Sequence, residues 1–258
     1  MKFLGIIPAR YASTRFPGKP LADIGGKFMI QRVYEQVASC LNDVWVATDD
    51  ERIVKAVEGF GGKVVMTSDQ HRSGTDRCLE ASLKIGGEYD VVINIQGDEP
   101  FIQTKQIEAL KACFDPSGSE SPVHGRTCLA TLVKPFTQKD GLEALLNPNS
   151  PKVVLNLKGE AMYFSRSVIP YMRGVPQEGW LNKGLFYKHI GIYAYRRETL
   201  AEIAALPQSP MELAESLEQL RWIENGYSIQ TAITDIENLA VDTPEDLEKI
   251  RKYLETKF

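Results

Sequence analysis

Three cations, Arg10, Arg15 and Lys19, crowd one loop near the start of the chain, between an apolar run at Phe3–Ile7 and a helical pattern from Phe28. Guanidinium and ammonium groups grouped in this way suit the oxygens of a polyphosphate. Acidic positions elsewhere would balance them. Asp98, next to Glu99, follows the run Val91–Ile95, and Asp242 stands just before Thr243-Pro244. Mg²⁺ is commonly held by one or two carboxylates together with substrate phosphates, so Asp98 and Asp242 are candidate metal ligands. Asp98 has a second reading, as the cap of a helix beginning near Thr104. Ser73, Gly74 and Thr75 sit at an expected helix start. There they either cap the helix or offer hydroxyl and N–H groups to an anion. Arg77 falls in the first turn, where a cation opposes the helix dipole, which hints that it has a ligand to meet.

The elements that must position these residues follow from periodicity. Phe3, Leu4, Ile6 and Ile7 form a buried strand, and Pro8, lacking an N–H, is expected to end it. The long loop after it carries Pro17, Gly18 and Pro20, which suit a preformed turn. It has neither the GK[ST] of a Walker loop nor the G-x-G-x-x-G of a dinucleotide fold, so side chains must do much of the phosphate binding. Ile30, Val33, Tyr34, Val37 and Leu41 give the first helix its apolar face. Val44–Asp49, Lys63–Ser68 and Asp90–Pro100 are further strands, with helices between them. This alternation predicts a parallel sheet with helical crossovers. In such sheets ligands bind beyond the carboxyl ends of the strands.

Later in the chain, Cys128–Phe136 is expected to be a strand, and Lys152–Pro170 a strand pair turning near Lys158-Gly159. That pair breaks the alternation and predicts antiparallel strands at the sheet edge. His189–Arg196 is a strand with His189 and Tyr193 on one face. One helix is expected over about 210–224, with Leu213, Leu217 and Leu220 as its apolar stripe; Glu218 and Gln219 then either bind a polyol or are solvated. Ser228–Thr234 is the last strand, and Thr243, Pro244 and Asp246 form a well-made helix start. Pro116–Arg126 reads as an exposed polar connection, and the aperiodic stretch Tyr171–Lys188 as a lid or a dimer contact.

The 258 residues, 43% hydrophobic, suffice for a large core. A net charge of −4 and a sequence pI near 5.6 argue against a nucleic-acid binder whose whole surface is basic, although a local cationic pocket is allowed. Cys40, Cys78, Cys113 and Cys128 are widely spaced, which disfavours a zinc site and suits a reducing cytoplasm. No apolar run approaches membrane-spanning length, and the first strand starts too early for a signal peptide. No membrane partner and a cytoplasmic location are therefore expected.

Seven segments in order, IIPARYASTRFPGKPL, HRSGTDR, INIQGDEP, YFSRSVIP, HIGIYAYR, LEQLRW and VDTPEDLE, resemble the 3-deoxy-manno-octulosonate cytidylyltransferase (CMP-KDO synthetase) family. The resemblance covers nearly the whole chain. Its first motif alone would indicate only a nucleotidyltransferase, whereas His189 with LEQLRW separates the KDO enzymes from sialic-acid-activating relatives. It implies a three-layer α/β/α, GT-A-like (Rossmann-like) fold, with a mostly parallel sheet and an antiparallel subregion. It also implies one nucleotidyltransferase domain over 1–258, with a sugar-binding and dimerisation subregion at about 150–225, and a homodimer. The implied reaction moves CMP from CTP to KDO, an acidic eight-carbon sugar, releasing pyrophosphate and supplying lipopolysaccharide biosynthesis. A sialic-acid cytidylyltransferase is the alternative.

The resemblance also implies roles for residues. Arg10, Arg15 and Lys19 would hold the triphosphate, with Lys19 stabilising charge. Asp98 and Asp242 would hold Mg²⁺. Ala9, Ser73, Gly74, Arg77 and Gln96 would take part in CTP binding, and Gln96, Arg166, His189, Tyr193, Glu218 and Gln219 would meet KDO. Arg166 and His189 both remain candidates for the sugar carboxylate. A metal-dependent glycosyltransferase would be expected to carry Asp-x-Asp rather than the adjacent Asp98-Glu99. A nucleotide-sensing module would need the cationic loop but not both aspartates.

Overall fold

A computed structural model of the chain describes residues 1–13, 16–115, 126–236, 240–241 and 243–255, with side chains of the last helix described as far as 252. The chain divides into two compact units, 1–108 with 238–258, and 109–237. Arg15, Asp242 and most of the Pro116–Arg126 connection lie outside the described residues.

The first unit is built on four parallel strands: Phe3–Ala9 (β1), Val44–Thr48 (β2), Val64–Met66 (β3) and Val91–Asn94 (β4), in the order β3-β2-β1-β4. Helices Met29–Ala38 (α1), Glu51–Gly59 (α2) and Gly74–Ile85 (α3) make the crossovers, and Thr104–Ala112 (α4) carries the chain into the second unit. β1 and β4 are apolar on both faces along most of their length: Leu4, Ile6, Ile7, Val91, Val92 and Ile93 are all buried. That is the pattern of parallel strands covered on both sides.

Pro8 does not end β1 as expected; it pairs with Ala47 inside the strand. The reason is directional. Gly5 donates to Asp43 on the β2 side, while the Ile6 carbonyl accepts from Ile95 on the β4 side. The missing N–H of Pro8 therefore faces β4, where pairing has already stopped at Ile6–Asn94. Proline costs no ladder bond there.

Helix Pro244–Glu255 (α9) begins as its sequence predicts. Thr243 Oγ accepts from Asp246 N at 3.2 Å, and the Asp246 carboxylate accepts from Thr243 N at 3.2 Å. Leu247 and Ile250 of α9 join Ile24, Met29 and Val241 in a small core against which Phe16 packs. The last helix thus anchors the cationic loop.

The second unit contains Leu129–Pro135 (β5), Lys152–Leu155 (β6), Ala161–Ser165 (β7), Tyr187–Arg196 (β8) and Gln230–Ile233 (β9). β5 runs antiparallel to β8 and parallel to β9, while β6 pairs antiparallel with β7 and with the start of β8. The expected antiparallel pair is therefore present. With the parallel first unit it gives the mixed α/β class that the sequence predicts.

Two short helices had no sequence signal strong enough to anticipate, Gly141–Leu146 (α5) and Arg197–Ala204 (α6). The aperiodic stretch is partly core. Its 3-10 turn Gln177–Lys183 buries Trp180, which joins Phe136, Leu145 and Phe186 in a cluster. The expected helix over 210–224 is broken into Pro210–Glu215 (α7) and Gln219–Glu224 (α8) by Ser216, at φ 52° and ψ 49°. The break re-faces the side chains. Leu213, expected to be buried, is exposed, while Gln219, expected off the apolar stripe, is buried with Leu217, Leu220 and Trp222.

Candidate active site

A cleft in the first unit gathers the loop after β1, the start of α3 and the loop after β4. Ala9, Arg10, Lys19, Ser73, Gly74, Arg77, Gln96 and Asp98, all expected in the nucleotide or metal site, line it together. Sequence reasoning did not single out His71 and Arg72, which also line it; their basic side chains just ahead of a capped helix were the available signal.

The loop is folded onto local anchors. Gly18 donates its N–H to the Tyr11 carbonyl at 2.9 Å and takes φ 72°. A Cβ there would stand 3.1 Å from the Tyr11 ring. Glycine is thus required twice, for the left-handed backbone and for the close approach. The Tyr11 ring in turn lies 3.3 Å beneath the Arg52 guanidinium. The turn places Lys19 Nζ 2.7 Å from Asp98 Oδ2. Asp98 is held by its main chain as well, since its carbonyl accepts from Val241 N at 3.0 Å.

The opposite wall is the start of α3. Ser73 caps it, accepting from Asp76 N at 3.1 Å. The capping alternative is thus the one its side chain takes. The helix start still faces the cleft, and its dipole favours an anion there. Gly74 and Gly97 permit close walls. A Cβ on Gly97 would lie 3.0 Å from the Pro8 carbonyl oxygen, and one on Gly74 would meet the Pro8 ring at 3.4 Å. The 68–73 segment is tied back by Glu80, whose carboxylate takes Ser68 N at 2.9 Å, Lys84 and His71. Burial raises the Glu80 pKa, but these hydrogen bonds overcome it and bring it down to about 2.

Arg77, which lines the cleft, is also tied into its wall. Its guanidinium donates to Asp49 Oδ2 and to Thr67 Oγ1, each at 2.6 Å, and the residue is buried. The cation at the helix start is satisfied by a carboxylate from the end of β2, which explains its misplacement without a ligand. Arg10 is exposed and makes no ion pair among the described residues. Among the described residues the cleft therefore holds Arg10, Arg72 and Lys19 against the carboxylate of Asp98.

Gln96 belongs to this cleft, whereas Arg166, His189, Tyr193, Glu218 and Gln219 belong to the second unit. There, His189, Tyr193, Tyr195 and Trp222 form a continuous aromatic cluster, with Phe164 edge-on to His189. Thr131 Oγ lies 2.8 Å from the Ile192 carbonyl, 3.2 Å from that of Ile190 and 3.1 Å from His189 Nε2, so a hydroxyl proton given to either carbonyl leaves Nε2 as the donor to Thr131. Burial pushes His189 down to about 3, leaving it neutral, and pushes the Tyr193 phenol well above its ordinary value. Among the described residues, Tyr193 Oη and Gln219 Nε2 are buried without a hydrogen-bond partner. Such atoms call for an explanation, and a ligand is one. Three of the five Arg166 N–H groups go to the carbonyls of Glu215, Pro148 and Ser216, at 2.6, 3.0 and 3.3 Å.

Among the described residues no three His, Cys, Asp or Glu side chains cluster as a self-sufficient metal site. No described helix is long and apolar enough to cross a membrane.

The cytidylyltransferase family profile matches residues 4–238. The chain is 63% identical over 257 residues to the 3-deoxy-manno-octulosonate cytidylyltransferase of Bacteroides thetaiotaomicron, covering 100% of both chains. It is 54% identical to that of Porphyromonas gingivalis, over 97% of this chain and 96% of the other. Among solved structures, CMP:2-keto-3-deoxy-manno-octonic acid synthetase complexed with CTP is 43% identical, covers 100% of both chains and superposes with a TM-score of 0.86. A cytidylyltransferase from Leptospira borgpetersenii, at 16% identity and a TM-score of 0.63, covers 99% of this chain and 87% of the other and shares the fold. With its cation-lined cleft and full-length likeness, the chain belongs to the cytidylyltransferases, in the family of the 3-deoxy-manno-octulosonate cytidylyltransferases.

Proposed function

We propose that the protein transfers CMP from CTP to 3-deoxy-manno-octulosonate, forming CMP-KDO and pyrophosphate, and so supplies the activated sugar for lipopolysaccharide. The observation that carries this reading is the cleft itself, in which, among the described residues, Arg10, Arg72, Lys19 and the start of α3 surround the Asp98 carboxylate. Such a site suits a triphosphate. The KDO anomeric oxygen attacks the α-phosphorus, the bond to the bridging β-phosphate oxygen breaks, and pyrophosphate leaves with its electron pair. Little covalent chemistry is left for the protein, which positions the reactants and neutralises the phosphates. Lys19 and Arg10, with Arg15 from the same loop, take the phosphate oxygens. Ala9, Ser73, Gly74 and Gln96 form the walls around the nucleotide, and Arg77 braces that wall from behind.

Asp98 offers hard carboxylate oxygens at the edge of the cleft, which fits Mg²⁺. Asp242 would be the second ligand, a reading supported by the bond from Val241 N to the Asp98 carbonyl. The ion would supply charge neutralisation on the phosphates and acidify the attacking hydroxyl. Lys19 holds Asp98 at 2.7 Å, so a phosphate that draws Lys19 away would free the carboxylate for a cation.

In the second unit, Tyr193, Glu218 and Gln219 would meet sugar hydroxyls. His189, being neutral, would accept a hydroxyl proton at Nδ1. Arg166, with two N–H groups left, is the better partner for the sugar carboxylate. A subregion at about 150–225 for sugar binding and dimerisation also fits. Leu157, Met162, Tyr171 and Leu185 in it are exposed apolar residues. Most of β8 is buried, which leaves these neighbours to make the dimer contact. The four free cysteines agree with a cytoplasmic location.

The test is pyrophosphate release with KDO against each of the four nucleoside triphosphates, with and without a chelator. Turnover is expected with CTP alone, and the chelator should stop it. Asp98→Asn should lose turnover by at least about a hundredfold while keeping much of its CTP affinity. Turnover with CTP and a neutral hexose, but not with KDO, would refute the substrate.

A further inference from the structure

We propose that Glu215 is a positioning residue for the sugar-acid site, holding the kink that turns Gln219 inward; this rests on the sugar-binding reading above.

Ser216 is the one non-glycine residue with positive φ among those described. L-residues avoid that backbone, so something must hold it. The holder is a reciprocal clamp between two dipeptides about fifty positions apart. Ser165 Oγ and Arg166 N donate to the two carboxylate oxygens of Glu215, at 2.6 and 2.9 Å. The Arg166 side chain reaches back to the carbonyls of Glu215 and Ser216. Glu215 is thus bound through both its carboxylate and its main chain to the end of β7.

Without the kink, the pattern of this segment predicts one helix with Leu213 buried and Gln219 off the apolar face. With it, Leu213 is 60% exposed and Gln219 only 4%. The clamp therefore decides where the Gln219 amide points. Arg221 fixes the other side of the break, pairing with the buried Glu212 at 2.8 Å and with Glu218 at 3.3 Å. The result is a rigid corner, with Gln219 Nε2 buried and without a hydrogen-bond partner among the described residues. The Glu215 carboxylate contributes to binding through the residues it holds, Arg166 and the corner that carries Gln219.

Glu215→Ala and Glu215→Gln test the proposal. Steady-state kinetics should show the KM for KDO raised at least tenfold in Glu215→Ala, with the KM for CTP within twofold of wild type. Glu215→Gln, whose amide oxygen can still accept one of the two bonds, should recover part of the loss. Hydrogen–deuterium exchange should show the amides of 216–220 opening at least tenfold faster in Glu215→Ala. An unchanged KM for KDO, a parallel rise in the KM for CTP, or unchanged exchange at 216–220 would each overturn the assignment. A wild-type enzyme inactive on KDO but active on another sugar acid would overturn the substrate named above. Glu215 is then judged by the KM for that acid and by the same exchange measurement.

Discussion

Arg77 offers the sharpest separation of bracing from binding. It lines the nucleotide cleft, yet its guanidinium lies 2.6 Å from Asp49 and 2.6 Å from Thr67, with its side chain 5% exposed. Two unit charges at that spacing attract by about 6 kcal/mol at an effective dielectric of about 20. Stripping water from both groups offsets much of this, so the intact pair adds little net stability. Breaking it is another matter, because the surviving charge is left buried and unpaired. Arg77→Met should therefore cost about 3–5 kcal/mol. Asp49→Leu should cost a similar amount. The double variant, which strands no charge, should lose about 2 kcal/mol less than the sum of the two. Urea unfolding followed by circular dichroism at pH 7 measures all three, and calorimetric CTP titration measures what the cleft retains. The double variant should bind CTP within about tenfold of wild type (about 1.4 kcal/mol). Additive losses, or an Arg77→Met variant within 1 kcal/mol of wild type, would refute the brace. A hundredfold loss of CTP affinity at unchanged stability would assign the guanidinium to the nucleotide instead.

Other residues give shorter tests. Gly18→Ala must adopt φ 72° and press on the Tyr11 ring, so about 1–2 kcal/mol of stability and part of the CTP affinity should be lost, read by thermal unfolding and titration. Gly97→Ala puts a methyl 3.0 Å from the Pro8 carbonyl and should cost about 1–3 kcal/mol, with a raised KM for CTP. Asp140 is raised by burial but lowered more by hydrogen bonds from Lys134 and Thr137, to about 2 against an ordinary 3.8. Its folded value is the depressed one, so its stabilisation is full above about pH 4 and lost as pH falls toward 2. Asp140→Asn should cost about 2 kcal/mol at pH 7 and almost nothing extra at pH 2, by urea midpoints. His189 should keep the carbon shifts of a neutral Nε2–H imidazole from pH 8 down to pH 5 in NMR; titration near 6.5 would refute its desolvation.

The fold was legible wherever its cause is local. β1 and β4 declare themselves by unbroken apolar runs, and Asp50 and Thr243 cap α2 and α9 through bonds spanning two or three residues. Pro8 misled because its meaning depends on which neighbour its absent N–H would have faced, and that is a property of the sheet. The break at Ser216 misled for a similar reason. Leu213, Leu217 and Leu220 have honest helical spacing, and no short-range rule opposes a helix there. What opposes it is Ser165 and Arg166, about fifty residues away.

The site shows the same division between residue type and partner. The chemistry of Arg10, Lys19, Ser73 and Asp98 can be read from side chains and from their places after strands, because in a parallel sheet those loops converge at one end. Their pairings cannot. Lys19 meets Asp98 across 79 positions, Arg77 meets Asp49 across 28, and both are lysine or arginine near an expected anion. Yet one stands at the mouth of the cleft, with its partner 28% exposed, and the other is sealed beneath its wall. A cation that can exchange its carboxylate for phosphate suits ligand binding. A cation whose carboxylate and hydroxyl partners are buried with it resists that exchange, because leaving them would strand a charge. Burial of the partner, more than the identity of the cation, separates the binder from the brace.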